Sequence, residues 1–177
     1  TTLTNSPNEF AGINKGMLEF KHVVSDEIYL YSFNMANDYD AVTLEATFVK
    51  IEPSSNQNGA TLACHVNETG WYEARVESSG TYYVYHYDSA KKAAGRNPYT
   101  LKSQGGTLAI VTSAGAANTM RFICGQNTLA LVINGREVWS GEVADMISGG
   151  GIGLGLVSFS GRTPLHIGFE RVEIIEP

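Results

Sequence analysis

Two aromatic-rich runs, WYEARV at Trp71–Val76 and TYYVYHY at Thr81–Tyr87, flank the turn formers Ser78-Ser79-Gly80. Aromatic and β-branched residues favour strands, because their side chains pack well on a pleated surface. A three-residue loop with glycine at its left-handed position joins two such strands into an antiparallel hairpin. The pattern therefore predicts a hairpin in which Glu77 faces Thr81.

This loop fixes the register of the hairpin, since a slip by one residue would exchange the two faces of one strand against the other. On the face predicted to cover the core, the pairs are Val76 with Tyr82, Ala74 with Val84, and Tyr72 with His86. The opposite face carries the side chains of Trp71, Glu73, Arg75, Tyr83, Tyr85 and Tyr87. Aromatic and charged groups thus lie side by side on one surface of two neighbouring strands.

The rest of the chain has the same character, with short runs of Val, Ile, Tyr, Phe and Thr between clusters of turn formers. These runs predict further strands at Met17–Val23, Ile28–Phe33, Ala41–Ile51, Thr61–Val66, Thr107–Val111, Thr119–Cys124, Thr128–Ile133, Arg136–Ser140, Ile152–Phe159 and Leu165–Ile175. Pro53–Gly59 and Ser89–Pro98 are predicted to be loops. Many strands without a repeat or a linker indicate one all-β domain over residues 1–177, an antiparallel two-sheet β-sandwich or jelly roll.

Asn134-Gly135 is a second strong hairpin signal, because both residues tolerate the positive φ that a two-residue turn requires. The predicted register pairs Ile133 with Arg136, Leu131 with Val138, and Ala130 with Trp139. In this register Leu129, Leu131 and Ile133 line the core, whereas Trp139 points away from it.

Length, composition and charge exclude several functional classes. A chain of 177 residues with 43% hydrophobic and 17% charged residues can bury a core and is not typical of disordered proteins. Its apolar runs are far shorter than the roughly 20 residues of a membrane-spanning helix. The 12 Lys and Arg residues are scattered and the formal net charge is −6. The sequence therefore predicts neither membrane insertion nor a nucleic-acid partner.

Cys64 and Cys124 both lie in predicted strands, and a chain rich in Tyr, Thr, Ser, Asn and Gly is typical of secreted proteins. These observations favour a disulfide over two buried free thiols, and an extracellular location, secreted or at the cell surface. Such a bridge would close a loop of about 60 residues and contribute on the order of 4 kcal/mol.

Five segments resemble motifs of bacterial laminin-G-like domains. The first hairpin is similar to their GWYxxxI…DGxYxIY motif, and the run NTMRFICG at Asn118–Gly125 is similar to NxLxxxCxG. The other three are LALVING at Leu129–Gly135 (LxLxVNG), Asp145 with Gly151–Leu154 (D…GxIGL), and Phe169–Val172 (FDNV).

The resemblance implies a concanavalin A-like jelly roll over residues 40–176. It also places Cys124 at the family's cysteine position, which supports its pairing with Cys64. Glu170 and Arg171 depart from the closing motif, and the acidic N-terminal segment common in the family is missing. Lectins, glycan-binding modules, glycosidases and adhesive domains share this fold, so the resemblance implies a fold more narrowly than a function.

The motifs of catalysis and metal binding are largely missing from the sequence. The ExDxxE pattern of laminarinase-type glycosidases does not occur, and Glu170, Glu173 and Glu176 fall on alternating faces of a strand. The four histidines are isolated, and we expect His86 to be a core residue rather than a metal ligand. Gly149–Gly153 is predicted to be a turn leading into a closely packed strand.

The sequence therefore predicts neither an enzyme nor a bound cofactor. A structural calcium ion is left open, because Asp38, Asp40 and Asp145 could supply oxygen ligands.

The remaining functional signal is the aromatic surface of the first hairpin. Aromatic rings stack on the apolar C–H faces of sugars, and side chains such as Arg75 and Glu73 hydrogen-bond sugar hydroxyls. We therefore predict a non-catalytic extracellular binding module whose partner is a glycan or a cell-surface polysaccharide. The alternatives are a structural or adhesive surface domain that contacts protein, a set of purely structural aromatics, and a glycan-acting hydrolase.

Overall fold

The structure, a computed structural model, describes residues 2–144, 146–159 and 161–177. Within these residues the chain forms strands, one short helix and connecting turns, arranged as two antiparallel sheets. The predicted all-β, two-sheet sandwich is therefore confirmed.

The larger sheet has eight strands: β1 (Thr2–Asn5), β2 (Glu9–Asn14), β3 (Met17–His22), β5 (Val42–Lys50), β10 (Ala117–Cys124), β11 (Thr128–Ile133), β12 (Arg136–Glu142) and β14 (Leu165–Ile175). Their order across the sheet is β1-β2-β3-β14-β5-β10-β11-β12. Neighbours distant in sequence, such as β14 and β5, therefore hold the centre of this sheet.

The smaller sheet has six strands: β4 (Ile28–Asn34), β6 (Gly59–Asn67), β7 (Gly70–Val76), β8 (Thr81–Asp88), β9 (Tyr99–Gly106) and β13 (Gly151–Ser158). Their order is β4-β13-β6-β7-β8-β9. The helix α1 (Ser89–Ala93) lies between β8 and β9, and the Asp88 side chain caps it by accepting the Lys91 N–H at 3.1 Å. The predicted loop Ser89–Pro98 thus includes one helical turn.

The core lies between the two sheets and follows the alternation of their strands. In β5, residues 42, 44, 46 and 48 are buried and their neighbours are not. Leu44, Phe48 and Phe122 of the larger sheet are fully buried in the same cluster as Leu62 and Val84 of the smaller one.

A disulfide between Cys64 of β6 and Cys124 of β10 ties the two sheets together, which confirms the predicted bridge.

One predicted strand is wrong, and three strands were not predicted. Thr107–Val111 is not a strand, because its backbone bonds to a side chain instead of a neighbouring strand. Asn118 Oδ1 accepts the Val111 N–H at 2.8 Å, and Asn118 Nδ2 donates to the Val111 carbonyl at 3.0 Å. The strands absent from the prediction are β1, β2 and β9.

The turn of the second hairpin is confirmed, since Asn134 and Gly135 have φ values of 49° and 79°. Ile133 pairs with Arg136 as predicted, but an irregularity between Leu131 and Val132 shifts the register beyond that point. Leu131 therefore faces Trp139, and Ala130 faces Ser140. The predicted outward orientation of Trp139 is wrong, because the shift turns its half-buried ring onto the core.

Candidate functional site

The β7–β8 hairpin has the predicted register. Glu77 N–H donates to the Thr81 carbonyl at 2.9 Å, and Gly80 has a φ of 93°. The outer face of the smaller sheet carries the cross-strand pairs Trp71 with Tyr87, Glu73 with Tyr85, and Arg75 with Tyr83. The structure thus brings together all six residues that the sequence singled out. Their role in binding stays a prediction.

Other parts of the smaller sheet extend this surface well beyond the hairpin. β4 contributes aromatic rings at alternate positions, and β9 contributes one aromatic ring at its start. One more aromatic ring lies just after the end of β13. Ring-to-ring contacts join all of them into one layer, here called the aromatic face: Tyr29, Tyr31, Phe33, Trp71, Tyr83, Tyr85, Tyr87, Tyr99 and Phe159.

The aromatic face curves strongly, as the contacts between side chains of its two edge strands show. β4 and β9 are the opposite edge strands of a six-stranded sheet, so a flat sheet would hold them about 24 Å apart. The rings of Tyr29 and Tyr99 nevertheless stack with centroids 5.7 Å apart, and the Tyr31 and Tyr99 hydroxyls lie 3.2 Å apart. The outer face is therefore a trough that its own side chains line and partly fill.

Glycines in the middle of the sheet make room for this filling. A Cβ atom added to Gly153 would lie 2.4 Å from the Phe33 ring, and one added to Gly155 would lie 2.7 Å from the Tyr31 ring. At Gly59 it would lie 2.5 Å from the Arg75 side chain. These glycines let the side chains of neighbouring strands lie flat across the sheet.

Glu73 and Arg75 form a buried ion pair beneath the rings, with Arg75 Nη2 2.8 Å from Glu73 Oε1. The other Glu73 oxygen accepts hydrogen bonds from Tyr31 Oη at 2.5 Å and Trp71 Nε1 at 2.9 Å. Glu73 is 0% and Arg75 1% exposed. The sequence interpretation placed both groups on the open surface. The structure buries them, because they join the aromatic side chains of two strands from below.

Aromatic rings cover the Arg75 guanidinium carbon, with the Phe159 centroid at 4.2 Å and the Tyr85 centroid at 5.0 Å. Burial alone would lower the pKa of Arg75, but the adjacent Glu73 carboxylate raises that pKa above its usual value. Arg75 therefore remains charged, and cation–π contacts hold the rings over it.

The phenol groups of the aromatic face are neutral at physiological pH. Burial, and then the hydrogen bond to Glu27, raise the pKa of Tyr29 to about 12. Burial raises the pKa of Tyr31 and Tyr99 well above the usual range, and the Glu73 charge raises both further. The hydroxyls can therefore both donate and accept hydrogen bonds.

The six strands of the smaller sheet, all described in full, contain two acidic residues, Glu73 and Asp88. Asp88 caps α1, and Glu73 already accepts from three donors. Two facing carboxylates, as glycosidases of the two-carboxylate type require, are not provided by these strands.

The candidate metal ligands do not form a site among the described residues. Cys64, His65 and Cys124 lie close together, but the two sulfur atoms are bonded to each other. Asp38 Oδ1 accepts the Gly150 N–H, and Asp145 lies outside the described residues. The structure does not test the structural calcium ion that the sequence left open at Asp38, Asp40 and Asp145.

His86 pairs with Tyr72 as predicted, with ring centroids 4.9 Å apart. The expectation that it is a core residue is wrong, because His86 lies near the end of β8 and is only half-buried.

Comparisons with known proteins identify the fold. No family model matches the sequence, and neither does any curated protein. Among solved structures, the chain is similar to the carbohydrate-binding module CBM66 from Bacillus subtilis, with a TM-score of 0.70 and 12% identity over 98% of this chain and 93% of that one.

It is also similar to a Bacteroides ovatus GH16 protein of a mixed-linkage-glucan PUL, solved with a product. The TM-score is 0.64, with 10% identity over 97% of this chain and 86% of that one. A third similar structure is sheep galectin-11 in complex with glycerol, with a TM-score of 0.56 and 8% identity over 84% and 99% of the two chains. The fold is therefore a concanavalin A-like jelly roll.

Proposed function

We propose that this protein is a non-catalytic carbohydrate-binding module that contacts its glycan through the aromatic face. The observation that carries the proposal is the continuous layer of nine rings on one sheet face, held from below by the Glu73–Arg75 pair. Several of these rings are well exposed, with Tyr29 at 43% and Phe33 at 39%.

The chemistry of the face suits a sugar better than a fully apolar ligand. Aromatic rings pack against the C–H faces of a pyranose, while neutral phenol hydroxyls bond to its hydroxyl groups. Because Glu73 already fixes the rings of Tyr31 and Trp71, a ligand would lose little free energy in ordering them.

The comparisons support a carbohydrate partner in general terms. One similar structure is described as a carbohydrate-binding module and another is a galectin. The GH16 neighbour shares the fold, so the fold alone does not separate binding from hydrolysis. The absence of catalysis is proposed from the acidic residues of the smaller sheet, of which Glu73 is buried and fully hydrogen-bonded.

The proposal extends to location and subtype. The disulfide favours an extracellular protein, secreted or at the cell surface. Within the described residues no helix is long and apolar enough to cross a membrane. The laminin-G-like subtype is proposed from the sequence motifs alone.

A glycan array tests the proposed function, with and without calcium. The wild-type protein should bind at least one oligosaccharide, and Phe33→Ala on the aromatic face should weaken that binding. Val172→Ala is the matched control, because Val172 is equally exposed at 38% but belongs to the larger sheet.

Light scattering on the same samples tests the structural or adhesive alternative. Absence of glycan binding, together with self-association that Phe33→Ala abolishes, would contradict the proposal and support a protein-contact surface.

A further inference from the structure

We infer that a groove between the two edge strands of the smaller sheet is the primary sugar subsite and selects uncharged sugars. This inference rests on the proposed carbohydrate-binding function. The groove has a volume of about 580 Å³, and its principal lining residues are Glu27, Tyr29, Tyr85, Asn97, Tyr99 and Phe159. Its volume is within the range of small-molecule sites, about 300–1,000 Å³.

Exposed apolar side chains line the groove and are accessible to a ligand. Tyr29 is 43% and Phe159 38% exposed, and Leu101 at the same groove is 45% exposed. By contrast, the rings of Trp71 and Tyr87 lie 3.7 Å apart and nearly parallel, so each covers one face of the other. Trp71 and Tyr87 therefore support the face, and the groove offers the contact surface.

Two polar side chains at the groove have hydrogen-bonding capacity left over. Asn97 Oδ1 accepts the Tyr99 N–H at 2.9 Å, which leaves the Asn97 amide NH2 as a donor. Glu27 Oε2 accepts from Tyr29 Oη at 3.0 Å, which leaves the other carboxylate oxygen as an acceptor. A donor and an acceptor beside apolar rings match the hydroxyl groups and C–H faces of a sugar.

The charge at the groove favours uncharged sugars over uronic acids and sulfated sugars. Glu27 brings a negative charge to the groove, and Arg75, the cation that contacts the rings of Tyr85 and Phe159, is paired with Glu73. Two exposed cations are adjacent in sequence to groove residues: Arg96 next to Asn97, and Lys102 next to Leu101. The Lys102 charge acts on His86, on the opposite face of the sheet, and Lys91 Nζ donates to Thr100 Oγ1 at 2.7 Å. Arg96 is therefore the group through which an anionic sugar would bind if the inference were wrong.

Calorimetric titration of the folded protein with cellotetraose, mannotetraose and tetragalacturonate tests the selectivity. We expect a neutral tetrasaccharide to bind and tetragalacturonate to bind at least tenfold more weakly. Glu27→Gln keeps the acceptor for the Tyr29 hydroxyl but removes the charge, so it should strengthen tetragalacturonate binding. Arg96→Ala should change no affinity by more than about twofold.

Asn97→Asp tests the position of the subsite, because it keeps the acceptor for the Tyr99 N–H and removes the NH2 donor. We expect a roughly three- to tenfold loss of affinity for the neutral tetrasaccharide, with the melting temperature unchanged. Val172→Ala, on the larger sheet, should leave that affinity at the wild-type value.

Three outcomes would overturn the inference, and they differ in what they say of the proposed function. Tighter binding of tetragalacturonate, lost in Arg96→Ala, would overturn the selectivity and leave carbohydrate binding standing. The neutral tetrasaccharide could instead bind with an affinity that Asn97→Asp leaves unchanged and Phe33→Ala abolishes. That result would place the subsite at the other end of the aromatic face. No binding of any glycan by the wild-type protein, on this panel and on the array, would remove the proposed function and the inference together.

Discussion

At the scale of single residues, Glu73 determines how the aromatic face is held together. Its carboxylate accepts from Arg75, Trp71 and Tyr31, which come from two strands that are not neighbours in the sheet. Each of these donors lies in or beneath the ring layer, where an unpaired polar group is costly. A small chemical change at this buried charge pair should therefore have a large effect on stability.

Glu73→Gln should destabilise the protein by about 3–5 kcal/mol, because it leaves the buried Arg75 charge without a counter-ion. Urea unfolding measures the change. The control is Glu45→Gln, which breaks the Glu45–Arg121 pair on a partly exposed surface and should cost about 0–1 kcal/mol. Equal losses for the two variants would show that the Glu73–Arg75 pair is not buried as described.

The phenols predict a loss of stability in alkali. The folded-state pKa of Tyr29 is about 12, and those of Tyr31 and Tyr99 are raised as well, whereas the unfolded chain releases such protons near pH 10. Above pH 10 the unfolded state therefore binds fewer protons, and the free energy of unfolding falls as the pH rises. Absorbance at 295 nm should show tyrosines that ionise late in the folded protein and near pH 10 in urea. Ionisation of every tyrosine near pH 10 without unfolding would refute this.

At the scale of elements, β13 is the strand on which the aromatic face rests. Gly153 and Gly155 face the same side as the rings of β4, so the absence of side chains there lets Tyr31 and Phe33 lie across the sheet. The shape of the aromatic face thus depends on two glycines that contribute no side chain to it.

Gly155→Ala should cost about 1–3 kcal/mol, because the new Cβ would lie 2.6 Å from the Leu30 carbonyl oxygen and 2.7 Å from the Tyr31 ring. Glycan affinity should fall with it, since the Tyr31 ring must move. Gly106→Ala in β9 is the matched control: its nearest neighbour would be 3.9 Å away, so urea unfolding should show little or no loss. A neutral Gly155→Ala would contradict the close packing of β4 on β13.

Local sequence signals predicted the hairpins better than the sheet that contains them. The loop before Thr81 was enough to fix the β7–β8 register, and Asn134-Gly135 was enough to fix the turn between β11 and β12. The orientation of Trp139 was not predictable in this way, because a one-residue irregularity in the ladder has no marker in the sequence. β9, an edge strand with the run Ser-Gln-Gly-Gly, also lacks the usual strand composition.

The candidate site was only partly predictable, because it also depends on contacts between segments that are distant in the sequence. The alternation of Tyr29, Tyr31 and Phe33 was a visible signal of an aromatic strand face, but its position beside the hairpin depends on pairings between distant segments. The burial of Glu73 and Arg75 likewise depends on rings supplied by β4, β9 and the segment after β13. Such long-range contacts are not encoded in any local pattern.

At the scale of the whole molecule, the disulfide between Cys64 and Cys124 joins the sheet that carries the aromatic face to the opposite sheet. The double variant Cys64→Ala/Cys124→Ala should lower the free energy of unfolding by on the order of 4 kcal/mol, because the bridge closes a long loop in the unfolded chain. Urea unfolding of the variant and of the reduced wild-type protein should agree. Free thiols detected in denatured, unreduced wild-type protein would show that the bridge is not formed.

The curvature of the smaller sheet connects fold to function. Contact between Tyr29 and Tyr99 closes the trough, and the groove opens where these edge strands meet. We therefore expect the glycan to bind the smaller sheet and not the larger one.

The most direct measurement is a heteronuclear NMR titration of the 15N-labelled protein with the tightest oligosaccharide from the array. Our account predicts saturable shifts for the backbone amides of β4, β8 and β9 and for the Asn97 side-chain amide, with the outer face of the larger sheet unchanged. Shifts confined to the larger sheet, or no shifts at saturating oligosaccharide, would contradict the claim that the aromatic face is the carbohydrate-binding surface.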